Sequence, residues 1–359
     1  MSRLLPLLII AFLLSGLALA QDNAAAPELQ AIMERAKAGD AAARAELGRA
    51  YEDGKGVPQD DVKAAEWFRK AADQGNAQAQ NSLGVMYALG RGVARDKEEA
   101  VRWYRKAAKG GLSEGFYNVA ISYFNGEGVP GDLQLAYAYM MIAQSKGNPQ
   151  AAEALQHMGD ELHGRVDFSK FRLAGIYEQG DEVPQDFAAA ATLYRELAAL
   201  GPRQGFFVAQ AEFRLCQFCV TGRGVPKDFV QAASRCKAAA QQGVYAAYVV
   251  LGRMAEKGLG EPADLKHATD WYRKAAAESV PEGFMEMGRL KLQSSSHDDV
   301  KEAYFWFQLA RLAKLPQADA QLQKAAAQLT EQEIASAAKA AEEWRRGPKA
   351  DRGKKIKIH

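Results

Sequence analysis

The stretch L-G-R-A-Y-E-D-G-K-G-V-P-Q-D-D-V-K-A-A-E-W-F-R-K-A-A-D-Q-G, Leu47–Gly75, decides the fold class. Its spaced residues recur 36 positions later, and they are Leu83, Gly84, Tyr87, Gly90, Gly92, Val93, Asp96, Ala100, Trp103, Ala107 and Gly111. The motif G-x-G-V recurs at Gly54, Gly90, Gly126 and Gly222, each time with an aspartate three residues after the valine. A nucleotide site needs one such loop, so the pattern indicates a repeat and not a phosphate cradle.

The position of Tyr51 can be followed along the whole chain. It recurs as Tyr87, Tyr123, Tyr177, Cys219, Ala255 and Lys291, which gives seven units. In the first unit, Leu47 and Tyr51 share one face of a first helix. A second helix follows, with small and aromatic residues at helical spacing, and these are Ala64, Trp67, Phe68, Ala71 and Ala72. Each unit is therefore predicted to be a helical hairpin, and the chain to be all-α.

The pattern L-G-x-x-Y-x-x-G-x-G-V-x-x-D-x-x-x-A-x-x-W-x-x-x-A-A-x-x-G resembles the Sel-one-like repeat family, a relative of the tetratricopeptide repeats, over about residues 27–315. The resemblance implies a right-handed α/α solenoid with a concave groove, in proteins that act as adaptors and scaffolds. Later units depart from it at Glu182, Ala255 and Lys291, and residues 293–299 replace the last glycine loop. These departures predict altered loops within an unchanged fold.

The segments around the repeats complete the predicted layout. Residues 21–26 form a linker, and residues 27–345 form the solenoid, whose first helix, Pro27–Ala38, caps one end. The 18 extra residues near 148–167 predict an added helix around Gln150–Leu162. Residues 316–345 predict two capping helices with Thr330 as a helix cap, since an uncapped solenoid would expose its apolar interface. Residues 346–359 are basic and predicted to be disordered.

The first 20 residues are typical of a cleaved secretory signal. Arg3 precedes an apolar run from Leu4 to Leu17, and Ala18 and Ala20 give an A-x-A site before Gln21. The alternative is a retained membrane anchor. No cysteine follows the cleavage site, so we expect a soluble mature protein, located in a bacterial periplasm. Because 46 basic residues nearly balance 44 acidic ones, the charge does not indicate a nucleic-acid partner.

All three cysteines fall in the fifth unit. Aligned to the first unit, Cys216 takes the place of Gly48, Cys219 that of Tyr51 and Cys236 that of Phe68. An oxidising compartment favours a disulfide between the two helices. In antiparallel helices, Cys216 and Cys236 lie nearer to the same height than Cys219 and Cys236 do. The spacing therefore favours a Cys216–Cys236 bond, and Cys219–Cys236 stays open as the alternative.

Several motifs are candidates for catalytic or metal sites. Cys216 and Cys219 match C-x-x-C, but they lie at the end of a predicted helix, whereas redox C-x-x-C pairs lie at the start of one. Some secreted relatives have been labelled β-lactamases, and S-x-x-K occurs at Ser234–Lys237 and Ser336–Lys339, without K-T-G or S-D-N. The histidines are scattered, and three cysteines lack a fourth zinc ligand. We therefore expect no catalytic residue, no cofactor and no metal.

The groove of such hairpins is lined by first-helix residues nine, six and two before the tyrosine position and one after it. In the first unit these are small or polar, whereas apolar residues gather in the middle units. The predicted partner-binding residues are Tyr117, Ile121, Phe124, Phe168, Phe171, Phe213 and Val220. The alternative is that the added helix after Asn148, or the irregular spacing, buries these rings as ordinary core.

Three classes of function follow. The first is a non-enzymatic periplasmic scaffold that binds another protein in its groove. The second is an exopolysaccharide or cell-envelope glycan protein, since the resemblance also extends to exopolysaccharide export. Trp67, Trp103, Trp271 and Trp306 bear on this class, but they lie at second-helix positions typical of core. The third, a β-lactamase-like or thiol-redox enzyme, has the weakest motifs.

Overall fold

A computed structural model describes residues 27–163, 165–202, 205–294 and 296–347, and every regular element in these ranges is helical. The predicted all-α repeat class is confirmed. The predicted signal peptide and linker, and the tail beyond residue 347, lie outside the described residues. The chain divides into two compact units, one ending at Gln185 and one beginning at Asp186.

Nine helices are described in each unit. Those of the first are α1 (27–37), α2 (Ala41–Asp53), α3 (Asp61–Ala72), α4 (Ala77–Leu89), α5 (Lys97–Lys109), α6 (Ser113–Asn125), α7 (Leu133–Ser145), α8 (Ala151–Glu161) and α9 (Asp167–Gln179). Those of the second are α10 (Phe187–Ala199), α11 (Phe206–Thr221), α12 (Phe229–Gln241), α13 (Ala246–Lys257), α14 (Leu265–Ala277), α15 (Pro281–Leu292), α16 (His297–Leu312), α17 (Ala318–Ala326) and α18 (Glu331–Arg346).

Successive helices pair as antiparallel hairpins. The pairs are α2 with α3, α4 with α5 and α6 with α7 in the first unit, and α11 with α12, α13 with α14 and α15 with α16 in the second. The fourth repeat supplies α9 and α10, and the boundary between the compact units falls between them. Each second helix also packs on the first helix of the next hairpin within its unit. Every hairpin thus buries its apolar face on a neighbour.

A glycine on the first helix lets the two helices of a hairpin approach closely. A Cβ added at Gly48 would lie 2.7 Å from Cδ1 of the Phe68 ring. The same glycine-to-ring contact recurs, 2.6 Å at Gly84 with Tyr104 and 2.4 Å at Gly252 with Tyr272. The ring rests on bare backbone, so any larger residue would push the helices apart.

The two glycines of each loop have different tasks. Gly90 ends α4 in the left-handed region at φ 73° and donates its amide to Met86. Gly92, at φ 64°, lies against the start of α3, where an added Cβ would come within 2.0 Å of the Asp61 carbonyl oxygen. The first glycine therefore closes a helix, and the second seats one repeat on the preceding one.

The residue between these glycines reaches back to the first residue of the preceding second helix. The pairs are Arg91 with Asp61 at 2.9 Å, Glu127 with Lys97 at 2.7 Å, and the Arg223 guanidinium over the Phe187 ring at 5.4 Å. Opposite charge or a cation on a ring thus joins neighbouring repeats. We call these contacts the repeat staples.

Aspartates cap second helices of the repeats. Asp60 accepts from the Lys63 amide and Asp96 from the Glu99 amide, at 3.0 and 2.9 Å. The spacing of Asp96 and Glu99 is that of a capping box, but Glu99 instead accepts from Arg102 Nε at 2.7 Å. A nearby cation holds the carboxylate away from the helix start. A reciprocal capping box joins Thr330 and Glu333 at the start of α18.

The extra helices occur where the sequence places them. The helix expected around Gln150–Leu162 is α8, which packs on α7. At the carboxyl end α17 and α18 both pack on α16, and Trp344 of α18 lies edge-on to Phe305 at 6.4 Å. These helices cover the apolar side of the last hairpin.

Helices α1 to α18, as described, include none that combines the length and the apolarity needed to cross a bilayer.

Candidate protein-binding surface

The predicted groove residues of the first unit lie on α6 and α9. Tyr117, Ile121 and Phe124 on α6 are each partly exposed, and so are Phe168 and Phe171 on α9. The two rings on α9 stack with centroids 6.1 Å apart. None of the five side chains is fully enclosed, which leaves apolar surface at positions where a packed core would leave none.

The added helix covers part of this surface. The Phe124 ring meets the His157 ring of α8 edge-on, with centroids 5.9 Å apart. In the second unit, Phe213 and Val220 pack against the core around the cysteines and are also half-buried. The alternative of ordinary core packing thus applies in part, because these side chains pack on neighbours and are also partly exposed.

A cavity of about 980 Å³ opens at the groove positions of the first repeat. Ala42, Ala45 and Arg49 of α2 line it, facing Leu29 and Ile32 of α1. The small residues expected from the sequence make room here, since an alanine leaves space that a ring would fill. The polar groups at the mouth are Glu28, Glu46, Asp53 and Lys55.

A second cavity, of about 370 Å³, opens at the groove positions of the last two repeats in the second unit. Arg253 of α13 lines it together with Glu282, Met285 and Arg289 of α15. These residues stand at the same counts from the tyrosine position as Ala42, Ala45 and Arg49. They are not among the residues predicted from the sequence, although the 36-residue spacing of Arg253 and Arg289 was available to show them.

These arginines belong to an ion-pair network. Arg289 lies 2.5 Å from Glu256 Oε2 and 2.7 Å from Glu286 Oε2, and Arg253 Nε donates to Glu286 at 2.8 Å. Burial opposes ionisation of Glu256, but hydrogen bonds from Arg289 and Tyr272 outweigh it and lower the pKa of its carboxyl. The network keeps the Glu256 carboxylate charged and fixes the arginine heads along the cavity wall.

Glu182, which replaces a loop glycine in the fourth repeat, has a structural partner. The hydroxyl of the buried Tyr139 donates to its carboxylate, and Arg105 Nε lies 3.2 Å from it. Burial, followed by the Glu182 charge, raises the pKa of Tyr139. The departure from the repeat pattern therefore satisfies a buried hydroxyl.

The disulfide joins Cys216 to Cys236, with Cα atoms 5.3 Å apart, and Cys219 is a free thiol that is 1% exposed. The bond occupies the place of the glycine-to-ring contact seen at Gly48, Gly84 and Gly252. Burial, followed by the Asp228 charge, raises the pKa of the Cys219 thiol. The C-x-x-C cysteines are therefore not bonded to each other, and the third is shielded, unlike a reactive redox pair.

The tryptophans expected to be structural lie in the helix packing. Trp103 and Trp306 are 3% and 2% exposed. Trp67 and Trp271 are partly exposed, but Lys70 and Lys274 lie over their rings at 4.2 and 4.0 Å. A sugar that stacks on tryptophan needs a free ring face, which these contacts restrict.

The repeats are similar to those of one known family. The Sel1 repeat model matches residues 41–76, 77–112, 114–147, 168–202, 209–244, 246–280 and 286–313. The chain belongs to the Sel1 repeat family. Proteins of this family generally mediate protein–protein interactions and are typically non-enzymatic scaffolds. No curated protein matches the chain.

Two solved structures illustrate the likeness. A protective antigen of uropathogenic Escherichia coli with an SLR fold is 27% identical, with 91% of this chain and 72% of that chain covered and a TM-score of 0.45. A Sel1 repeat protein from Oxalobacter formigenes is 24% identical, with 73% and 95% covered and a TM-score of 0.34.

Proposed function

We propose that this Sel1 repeat protein is a non-enzymatic periplasmic scaffold that holds a partner protein on the groove positions of its first helices. The observation that carries the proposal is the set of partly exposed rings at those positions on α6 and α9. Tyr117, Phe168 and Phe171 are each aromatic and partly exposed. Aromatic side chains of this kind dominate the binding energy of protein interfaces.

The cavities support a partner that is a protein segment and not a small substrate. They open at the same helix positions in both units, and their walls mix alanine, methionine and ionised groups without a nucleophile beside a base. Arg49 lines the cavity of one unit, and Arg253 and Arg289 line that of the other. Apolar anchors beside fixed charges suit an extended or helical peptide.

Two observations support the location. The first 20 residues read as a cleavable export signal, and Cys216 is bonded to Cys236. Disulfides persist in oxidising compartments and are rare in the cytosol. An exported scaffold of the cell envelope accounts for both.

The experiment is an in-cell crosslinking pull-down from the periplasm with the full chain. The test variant carries Tyr117→Asp, Phe171→Asp and Phe213→Asp. The matched control carries Val62→Asp and Leu265→Asp, which add charge at second-helix positions that are 56% and 57% exposed. Circular dichroism establishes that both variants are helical.

We expect the test variant to lose one specific partner that the wild-type chain and the control retain. Because a buried charge without a partner is costly, the loss should be at least about tenfold. An unchanged set of partners would move binding away from these groove positions. Capture of no protein by the wild-type chain would overturn the scaffold proposal and bring glycan ligands forward.

A further inference from the structure

A cavity of about 320 Å³ lies in the second unit, between α12 and the hairpin of α13 and α14. Phe229, Met254, Leu259 and Trp271 form apolar walls, and Lys237 stands at the exposed mouth. No groove position of the fifth or sixth repeat lines it. The cavity is therefore separate from the surface of the proposed function, and neither depends on the other.

The same place between the first and second repeats is filled by the chain itself. There the ring of Tyr87 occupies the space, and Arg69 donates to its hydroxyl. The Arg69 guanidinium lies 5.3 Å from the Tyr87 ring centroid and 5.5 Å from that of Trp103. Covered in this way, Trp103 is only 3% exposed.

The next pair of repeats fills the place in the same way. Tyr123 takes the place of Tyr87, and Arg105 takes that of Arg69. The Arg105 guanidinium donates to the Tyr123 hydroxyl at 2.5 Å and lies 5.7 Å from its ring centroid. A phenol ring with a cation at its hydroxyl is thus the recurring occupant.

The sixth repeat has lost the ring but kept its surroundings. Ala255 stands at the tyrosine position, Lys237 at that of Arg69 and Trp271 at that of Trp103. No hydrogen bond or ion pair engages the Lys237 ammonium within the described part of the chain, and Trp271 is partly exposed. The staple is lost too, since Leu259 and Phe229 stand where an ion pair or a cation on a ring joins other repeats.

The seventh repeat also lacks the tyrosine, yet there the substitute is engaged. Lys291 lies 2.7 Å from Asp299 and 2.8 Å from Glu302, so an ion-pair group takes over the place of the ring. The open cavity of the sixth repeat is therefore not a general result of losing tyrosine. It follows from replacing a ring by the methyl group of Ala255.

We infer that this cavity binds a phenol ring supplied by another molecule, the tyrosine side chain of a partner protein. The ring occupies the volume that the chain's own tyrosine fills elsewhere, and its hydroxyl meets Lys237. Apolar cavities of about 150 Å³ already admit benzene, so the volume suffices. Tyr248 stacks on Trp271 at 5.6 Å, Lys274 lies over its ring and the His267 ring lies 5.5 Å away, which together restrict the ring face that a sugar would need.

The test titrates the full chain with p-cresol, the isolated tyrosine side chain, and with N-acetyl-tyrosine amide, by calorimetry and NMR. We expect roughly millimolar affinity for both, as is usual for ligands of this size. Ala255→Tyr restores the chain's own ring and should weaken both ligands by more than about tenfold. Ala263→Tyr is the matched control, because it adds the same ring at an exposed loop residue outside the cavity.

A second pair of variants tests the polar end. Lys237→Met should weaken p-cresol severalfold and leave toluene unchanged, whereas Lys257→Met, an exposed lysine outside the cavity, should change neither. If p-cresol binds but N-acetyl-tyrosine amide does not, the cavity is a site for a free phenol. That result would overturn the proposal of a partner's tyrosine side chain.

Two results would overturn the site itself. One is a folded Ala255→Tyr variant that binds p-cresol as the wild-type chain does. The other is measured on the wild-type chain and needs no folded variant. In it, the indole resonance of Trp271, assigned with Trp271→Phe, does not shift as p-cresol is added to saturation.

Discussion

Single glycines carry much of the repeat geometry. Gly92 combines a positive φ with a carbonyl oxygen 2.0 Å from where its Cβ would be, whereas Gly75 has φ 88° and open space around it. A side chain at Gly75 would cost backbone strain alone, which arises from the conformation of one residue. A side chain at Gly92 would add a steric contact between two repeats.

We expect Gly75→Ala to lower the free energy of unfolding by about 1 kcal/mol, the cost of a left-handed residue with a Cβ. Gly92→Ala should cost at least about 3 kcal/mol, because α3 must also move away. Thermal and urea unfolding followed by circular dichroism measure both. Equal losses in the two variants would show that the Asp61 contact has no energetic weight.

At the scale of elements, the repeat staples explain how one hairpin recognises the next. At the two staple positions, Arg91 pairs with an acid, Glu127 with a base and Arg223 with an aromatic ring. Since each pair differs, the staple fits a hairpin to its own neighbour. Asp61 and Arg91 are about a third exposed, at 32% and 35%, so solvent screens their attraction.

Reversing this ion pair tests the role of the staple. Arg91→Glu should destabilise the chain, since it places a third carboxylate beside Asp61 and Glu52. Adding Asp61→Lys should restore about 0.5–1 kcal/mol, because the pair then matches Lys97 with Glu127. A double-mutant cycle in low salt measures the coupling. Strict additivity of the two substitutions would mean that the staple contributes nothing.

At the scale of the whole molecule, the proposed export and the disulfide make a joint prediction. We expect the mature chain from the periplasm to begin at Gln21 and to weigh two hydrogens less than its reduced form. Because the bond closes a sequence separation of 20, its reduction should cost about 3 kcal/mol. Intact mass and melting with and without reductant measure these changes.

The cysteine variants supply the control. Cys219→Ser should keep the response to reductant, whereas the double variant Cys216→Ser and Cys236→Ser should lose it. A membrane-bound chain that begins at Met1 would instead establish the retained anchor.

The sequence by itself determined the repeat, the hairpins and their caps. These depend on local rules: helical spacing of small and aromatic residues, aspartate at helix starts and glycine at helix ends. Arg49 and Arg253 stand at the same count from the tyrosine position of their repeats, because a repeat copies its spacing.

Only the tertiary structure decided how neighbours meet. That Glu99 turns to Arg102, that Phe124 is half covered by His157, and that Ala255 opens a cavity all depend on residues distant in sequence or competing in space. A repeat pattern records which residue types recur, but the volume left when one is missing depends on every side chain around it.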